Sequence, residues 1–161
     1  MDLHSLHPYD IIEVEDLNYQ FVNKDGIVYH IYFNPISELY PQLVNTYAFS
    51  IEPESNQPHT IDRRIAETVV YILHRFFANI ENAMIMVCDT IDGKRYKRRN
   101  LFNRWFKLYD DGTMVSLNAE AGNKDYELLL SIYFKKGNPN KDSLVKGFND
   151  LLTLDMYELV I

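Results

Sequence analysis

Three stretches decide the fold: TIDRRIAETVVYILHRFFAN at residues 60–79, AMIMVCD at 83–89 and TIDGKRYKRRNLFNRWF at 90–106. At 100° per residue, Ile61, Ile65, Val69, Ile72, Leu73, Phe76 and Ile80 fall on one stripe. Arg63, Arg64, Glu67, Tyr71, His74 and Arg75 point away from it, the pattern of a helix laid on a core. Thr60 or Asp62 offers the N-cap oxygen. The run Ala83 to Cys88 is short and apolar throughout, which predicts a central strand covered on both faces. Asp89, Asp92 and Gly93 then punctuate the chain. A second helix is predicted over 94–109, with Leu101, Phe102, Trp105, Phe106, Leu108 and Tyr109 on its core face.

Working outward, Tyr19 to Val22 and Ile27 to Asn34 flank Asn23-Lys24-Asp25-Gly26 and read as a β-hairpin. Residues 46–51 alternate, with Tyr47, Phe49 and Ile51 on one face, so they form a half-buried strand. After Gly112, residues 113–120 and 126–135 read as a second hairpin turning at 121–124, with Leu128, Leu130, Ile132 and Phe134 facing the core. Helical spacing returns from Asn140 to about Thr153. The fold predicted is α+β: a mainly antiparallel sheet of about six strands with two long helices and a C-terminal helix, in the order ββ-β-α-β-α-ββ-α. The helices are expected on one side of the sheet, the other face being partly open. Residues 1–161 are expected to form a single domain, with 1–18 an arm or an edge strand.

Of 161 residues, 47% are apolar and 14% aromatic, enough for a sizeable core. The start MDLHSLHPYD lacks a basic end followed by an apolar run, and no stretch approaches the length of a membrane span, so no membrane is expected as a partner and a cytoplasmic location is. The single cysteine, Cys88, excludes an internal disulfide and fits a reducing compartment. On a buried strand it reads as a small hydrophobe rather than a reactive thiol.

Charge is distributed unevenly. Seven of the 16 Lys and Arg fall in residues 94–109 with no acid among them, which leaves nine against 23 Asp and Glu elsewhere, a balance of −14. Cations in the first turn of that helix oppose its macrodipole, so something negative belongs nearby: the protein's own acids or a bound polyanion. Lys97, Arg99, Arg104 and Lys107 form the candidate basic surface. Arg98 falls inside the apolar stripe and is expected to pair with Asp89 or Asp92, a candidate ion-pair site.

The combination Cys88-Asp89, Asp92-Gly93, Arg98 or Arg99, Leu101-Phe102 and Arg104-Trp105-Phe106, preceded by a helix ending HRFFAN, resembles a small bacterial family of unknown function associated with Bacteroidetes-type genomes. The resemblance covers roughly residues 45–110. It implies no activity.

Two carboxylates such as Asp89 and Asp92 do not make a metal site, since a hard cation takes six or more oxygens; their other reading is a helix cap and an arginine partner. His74 lies on the solvent face of its helix, and His4, His7, His30 and His59 have no ligand spacing. No metal and no cofactor is expected. Three classes of function remain open. The first is a non-catalytic binding or accessory module whose basic-aromatic helix contacts an acidic protein partner or nucleic acid. The second is an enzyme on a phosphate-bearing substrate, with Arg98 or Arg99 as clamp and Asp89 or Asp92 as base. The third is a self-associating structural protein, a homo-oligomer. The absence of a nucleophile motif leans away from the enzyme, and net acidity from non-specific DNA coating.

Overall fold

A computed structural model describes residues 3–55, 61–88, 95–123 and 126–153. After a short 3-10 turn, Leu3–Ser5, the elements run β1 (Ile12–Glu15), β2 (Asn18–Val22), β3 (Val28–Pro35), β4 (Thr46–Pro53), α1 (Arg63–Phe77), β5 (Ala83–Cys88), α2 (Arg95–Tyr109), β6 (Met114–Asn123), β7 (Tyr126–Lys135) and α3 (Lys141–Leu151). The seven strands form one sheet in the order β1-β2-β3-β4-β5-β7-β6. β4 and β5 pair in parallel and every other neighbouring pair is antiparallel. The class is α+β, and the seventh strand is the N-terminal segment, which takes the sheet edge as β1.

Local chemistry explains the turns. In the β2–β3 hairpin the Asn23 side chain accepts from the N–H groups of Asp25 and Ile27, at 3.0 and 2.9 Å. Gly26 takes φ 76°, a conformation that costs glycine little. The second hairpin has longer arms than the expected turn at 121–124 allows, because β6 continues to Asn123.

A parallel pair cannot be closed by a tight turn, so the chain leaves β4, crosses the sheet as α1 and returns as β5. α1 and α2 lie together on one face, over a core built from alternate residues of the strands. Aromatic rings carry much of it: Phe33 stacks on Phe76 at 4.2 Å, Phe49 meets Phe102 at 5.3 Å, and Phe106 meets Tyr133 at 4.5 Å. The helices do not all share that face. Leu144, Phe148 and Leu151 of α3 pack on the opposite side, against Ile85, Leu130, Ile132 and Phe134. Strand β7 is accordingly buried on both faces from Leu128 to Phe134. Over β2–β4 that second face stays half-exposed, with His30, Tyr32 and Ser50 on it.

Three further expectations are corrected. Ile61 and Ile80 lie beyond the ends of α1 and are exposed, and Leu108, one residue from the end of α2, is 57% exposed. Glu67 is buried although its angle points it away from the apolar stripe. Residues 7–9 explain it by lying along α1: the His7 N–H donates to Glu67 Oε2 at 3.1 Å and the Tyr9 N–H to Thr68 Oγ1 at 2.9 Å. Arg64 donates back to the carbonyls of His7 and Pro8 and stacks over the Tyr9 ring at 4.1 Å. The Tyr9 hydroxyl donates to Asp62 Oδ2 at 2.7 Å, while Asp62 Oδ1 caps α1 by accepting from the Ile65 N–H at 3.0 Å. The segment before β1 is therefore an arm docked on α1.

Trp105, 6% exposed, belongs to the core and Leu108 does not. Trp105→Ala is expected to cost about 3–5 kcal/mol in urea unfolding. Leu108→Ala should stay within about 0.5 kcal/mol, because that side chain is already in water.

Candidate functional site

Helix α2 presents its aromatic face inward, where Phe102, Trp105, Phe106 and Tyr109 are buried. Apart from Leu108, the described side chains that remain exposed are polar. Lys97, Asn100, Arg104 and Lys107, at intervals of three, four and three residues, fall on one stripe of the helix. They line an open groove of about 920 Å³ between α2 and the edge strand β6, which contributes Ser116 and Asn118. The two walls are held by side-chain bonds. Tyr133 Oη donates to Asn103 Oδ1 at 3.3 Å, and Ser131 Oγ to Asn118 Oδ1 at 2.5 Å. Asp110, at the helix end, is the one carboxylate among the described lining residues, and its Oδ1 accepts from the Gly112 N–H at 2.8 Å.

The structure thus brings together Lys97, Arg104 and Lys107, all exposed. Arg99 is apart from them. Two residues on from Lys97, it points about 200° around the helix. It is half-buried there, close enough to Tyr133 to pull the phenol's pKa down. The first turn of α2 contains no acid. Among the described residues the ion pairs given by geometry are His30–Glu54, Arg63–Glu67 and Arg75–Glu13, and none of them touches the groove. Arg98 is exposed and lines a different concavity, together with Leu101 and Trp105. Asp89 and Asp92, its expected partners, lie outside the described residues, as do Gly93 and Lys94. His74 is exposed, and among the described residues no group of three or more His, Cys, Asp and Glu is placed to hold a metal.

Residues 61–150 match the family of unknown function DUF6169. The chain belongs to this family. The DUF6169 match begins at α1 and takes in β5, α2, the second hairpin and nearly all of α3, so it reaches further toward the C-terminus than the residues that first suggested a family. Both walls of the groove fall inside the DUF6169 stretch. No curated protein matches the chain, and no helix among the described residues is long and apolar enough to cross a membrane.

What sequence reasoning missed is the polar floor under α2. Burial pushes the Tyr133 phenol up to about 12, with the Ser131 hydroxyl and the Arg99 charge pulling the other way. Burial does the same for Tyr109, also to about 12, reinforced by Asp111 and Asp110. The signal was available in YELLLSIYF, where residues of both parities are apolar or aromatic. An unfolded tyrosine ionises near pH 10, so the folded state holds protons that the unfolded chain releases. Stability is therefore full below about pH 10 and falls as the pH rises toward about 12. Urea midpoints across this range should decline for the wild-type chain and decline less steeply for Tyr133→Phe.

Proposed function

We propose that this chain is a non-catalytic binding module and that the α2 groove is its contact surface for an anionic macromolecule, an acidic polypeptide segment ahead of a nucleic acid. The observation that carries the reading is the convergence of Lys97, Arg104 and Lys107 with the side-chain amides of Asn100, Asn103 and Asn118 around one open groove. Cations supply attraction and amides supply both donors and acceptors, a combination that suits a carboxylate-rich main chain. Single strands are commonly held on exposed aromatic rings, and Phe102, Trp105, Phe106 and Tyr109 of α2 are buried in the core. The acidic balance of the rest of the chain also disfavours broad attraction to nucleic acid and concentrates any anion at this one stripe.

A polarisation titration tests it, with a labelled oligo-glutamate peptide beside mixed-sequence DNA and RNA oligonucleotides. The peptide should bind at low salt and lose affinity steeply toward about 0.1 M, where screening confines charge effects to about 10 Å. Joint replacement of Lys97, Arg104 and Lys107 by Gln should abolish binding with unfolding stability unchanged to within about 0.5 kcal/mol, while Arg99→Gln keeps binding. Binding of the oligonucleotides alone would replace the acidic segment with nucleic acid, and binding of neither would end the proposal.

A second reading, self-association, rests on a separate observation. β1 is an edge strand whose Ile12 and Val14 are 59% and 60% exposed, in alternation with the charged Glu13 and Glu15. Sedimentation over a range of concentrations weighs it: a dimer that Val14→Lys dissolves supports pairing through this edge, and a persistent monomer removes it.

A further inference from the structure

β4 and β5 pair in parallel at their starts, Thr46–Ala48 with Ala83–Ile85, and run on in the same direction, each toward a helix of the same face. Between the later residues of both strands and these two helices lies a cavity of about 320 Å³. That volume is at the lower end of small-ligand sites, which run from about 300 to 1,000 Å³.

The described walls come from five elements: Tyr29 of β3, Phe49 and Ile51 of β4, Met86 of β5, Ile65 of α1, and Phe102 and Trp105 of α2. They are mainly apolar, and four of them carry broad rings that suit a flat or extended hydrocarbon body. Among the described residues two charged ones line the cavity, Glu52 and Arg98. Glu52 stands opposite His30 in the β3–β4 register, between Ile51 and Pro53, so its side chain belongs to the other face of the sheet. Among the described residues Arg98 is therefore the charge on the cavity side. A guanidinium has five N–H donors in a planar fork, so a contact already made by Arg98 leaves donors for a second acceptor.

We infer that this cavity binds a small apolar carboxylate, its hydrocarbon body between the aromatic walls and its carboxylate on Arg98. The pairing of one fork-shaped cation with walls that are mainly apolar among the described residues selects a monoanion with a hydrophobic body over a polyphosphate or a sugar, most of whose several polar groups would be left unpaired against these walls. The inference is independent of the α2 groove, whose cations face elsewhere.

Trp105 is the only tryptophan of the chain and forms part of the wall, so its emission reports occupancy directly. Octanoate is the probe and 1-octanol its neutral counterpart, with calorimetry as an independent measure of binding. Octanoate should shift Trp105 emission saturably. Arg98→Gln should weaken it at least about tenfold, because a hydrogen bond to a charged group contributes that much to an equilibrium constant, and should leave the weaker binding of 1-octanol unaltered. Ile65→Phe, which fills the cavity, should abolish both responses. If that variant fails to fold, Ile51→Phe at the half-buried rim serves instead. A Trp105 signal that octanoate does not change, with no heat of binding, overturns the proposal. So does octanoate binding that survives Arg98→Gln at full strength, or 1-octanol binding as tightly as octanoate.

Discussion

The parallel pairing of β4 with β5 is the constraint on which the rest of the molecule depends. An antiparallel neighbour can be reached through a few turn residues, whereas a parallel one forces the chain across the sheet. Here the crossing is α1, whose apolar stripe of Ile65, Val69, Ile72, Leu73 and Phe76 lets it be buried where it crosses. Once α1 covers β2–β4, α2 has only the strip over β5 and β7 to occupy, and its aromatic residues fill the space between helix and sheet. The polar stripe of α2 is then turned toward β6. The groove and the cavity are thus two products of one topological step.

Elements whose pattern is local were legible. Ala83 to Cys88 and Tyr126 to Lys135 match the strands residue for residue, the first because it is an uninterrupted apolar run and the second because Leu128, Leu130, Ile132 and Phe134 alternate along a hairpin arm. Elements whose fate is decided by distant chain were not. Glu67 looked solvent-facing because helical angle says nothing of an arm sixty residues away that brings it a backbone donor. The side on which α3 packs is likewise absent from its own spacing. It could have been read from β7, where Leu128, Leu130 and Ile132 alternate with Leu129, Ser131 and Tyr133 and both sets are buried.

The candidate site divides along the same line. Lys97, Arg104 and Lys107 share a stripe by angle alone, so their grouping was readable, and the same arithmetic separates Arg99 from them. Ser116 and Asn118, the opposite wall, are an unremarked part of an alternating strand until the sheet order places β6 at the edge beside α2. The cavity was invisible because its walls are contributed by β3, β4, α1, β5 and α2, each of which reads as ordinary core in isolation.

The edges of the DUF6169 match bear on what counts as a unit of folding. The matched stretch starts at Ile61, after β1–β4 have been laid down. On its own it would leave β5 without the strand to which Thr46, Tyr47 and Ala48 belong, and α1 without Phe21, Phe33 and Phe49 beneath it. An apolar helix face and an open hydrogen-bonding edge would be presented to water together, a state prone to aggregation. The span over which these sequences resemble one another is therefore smaller than the sheet it belongs to, and cutting the chain at the borders of likeness would cut through its core.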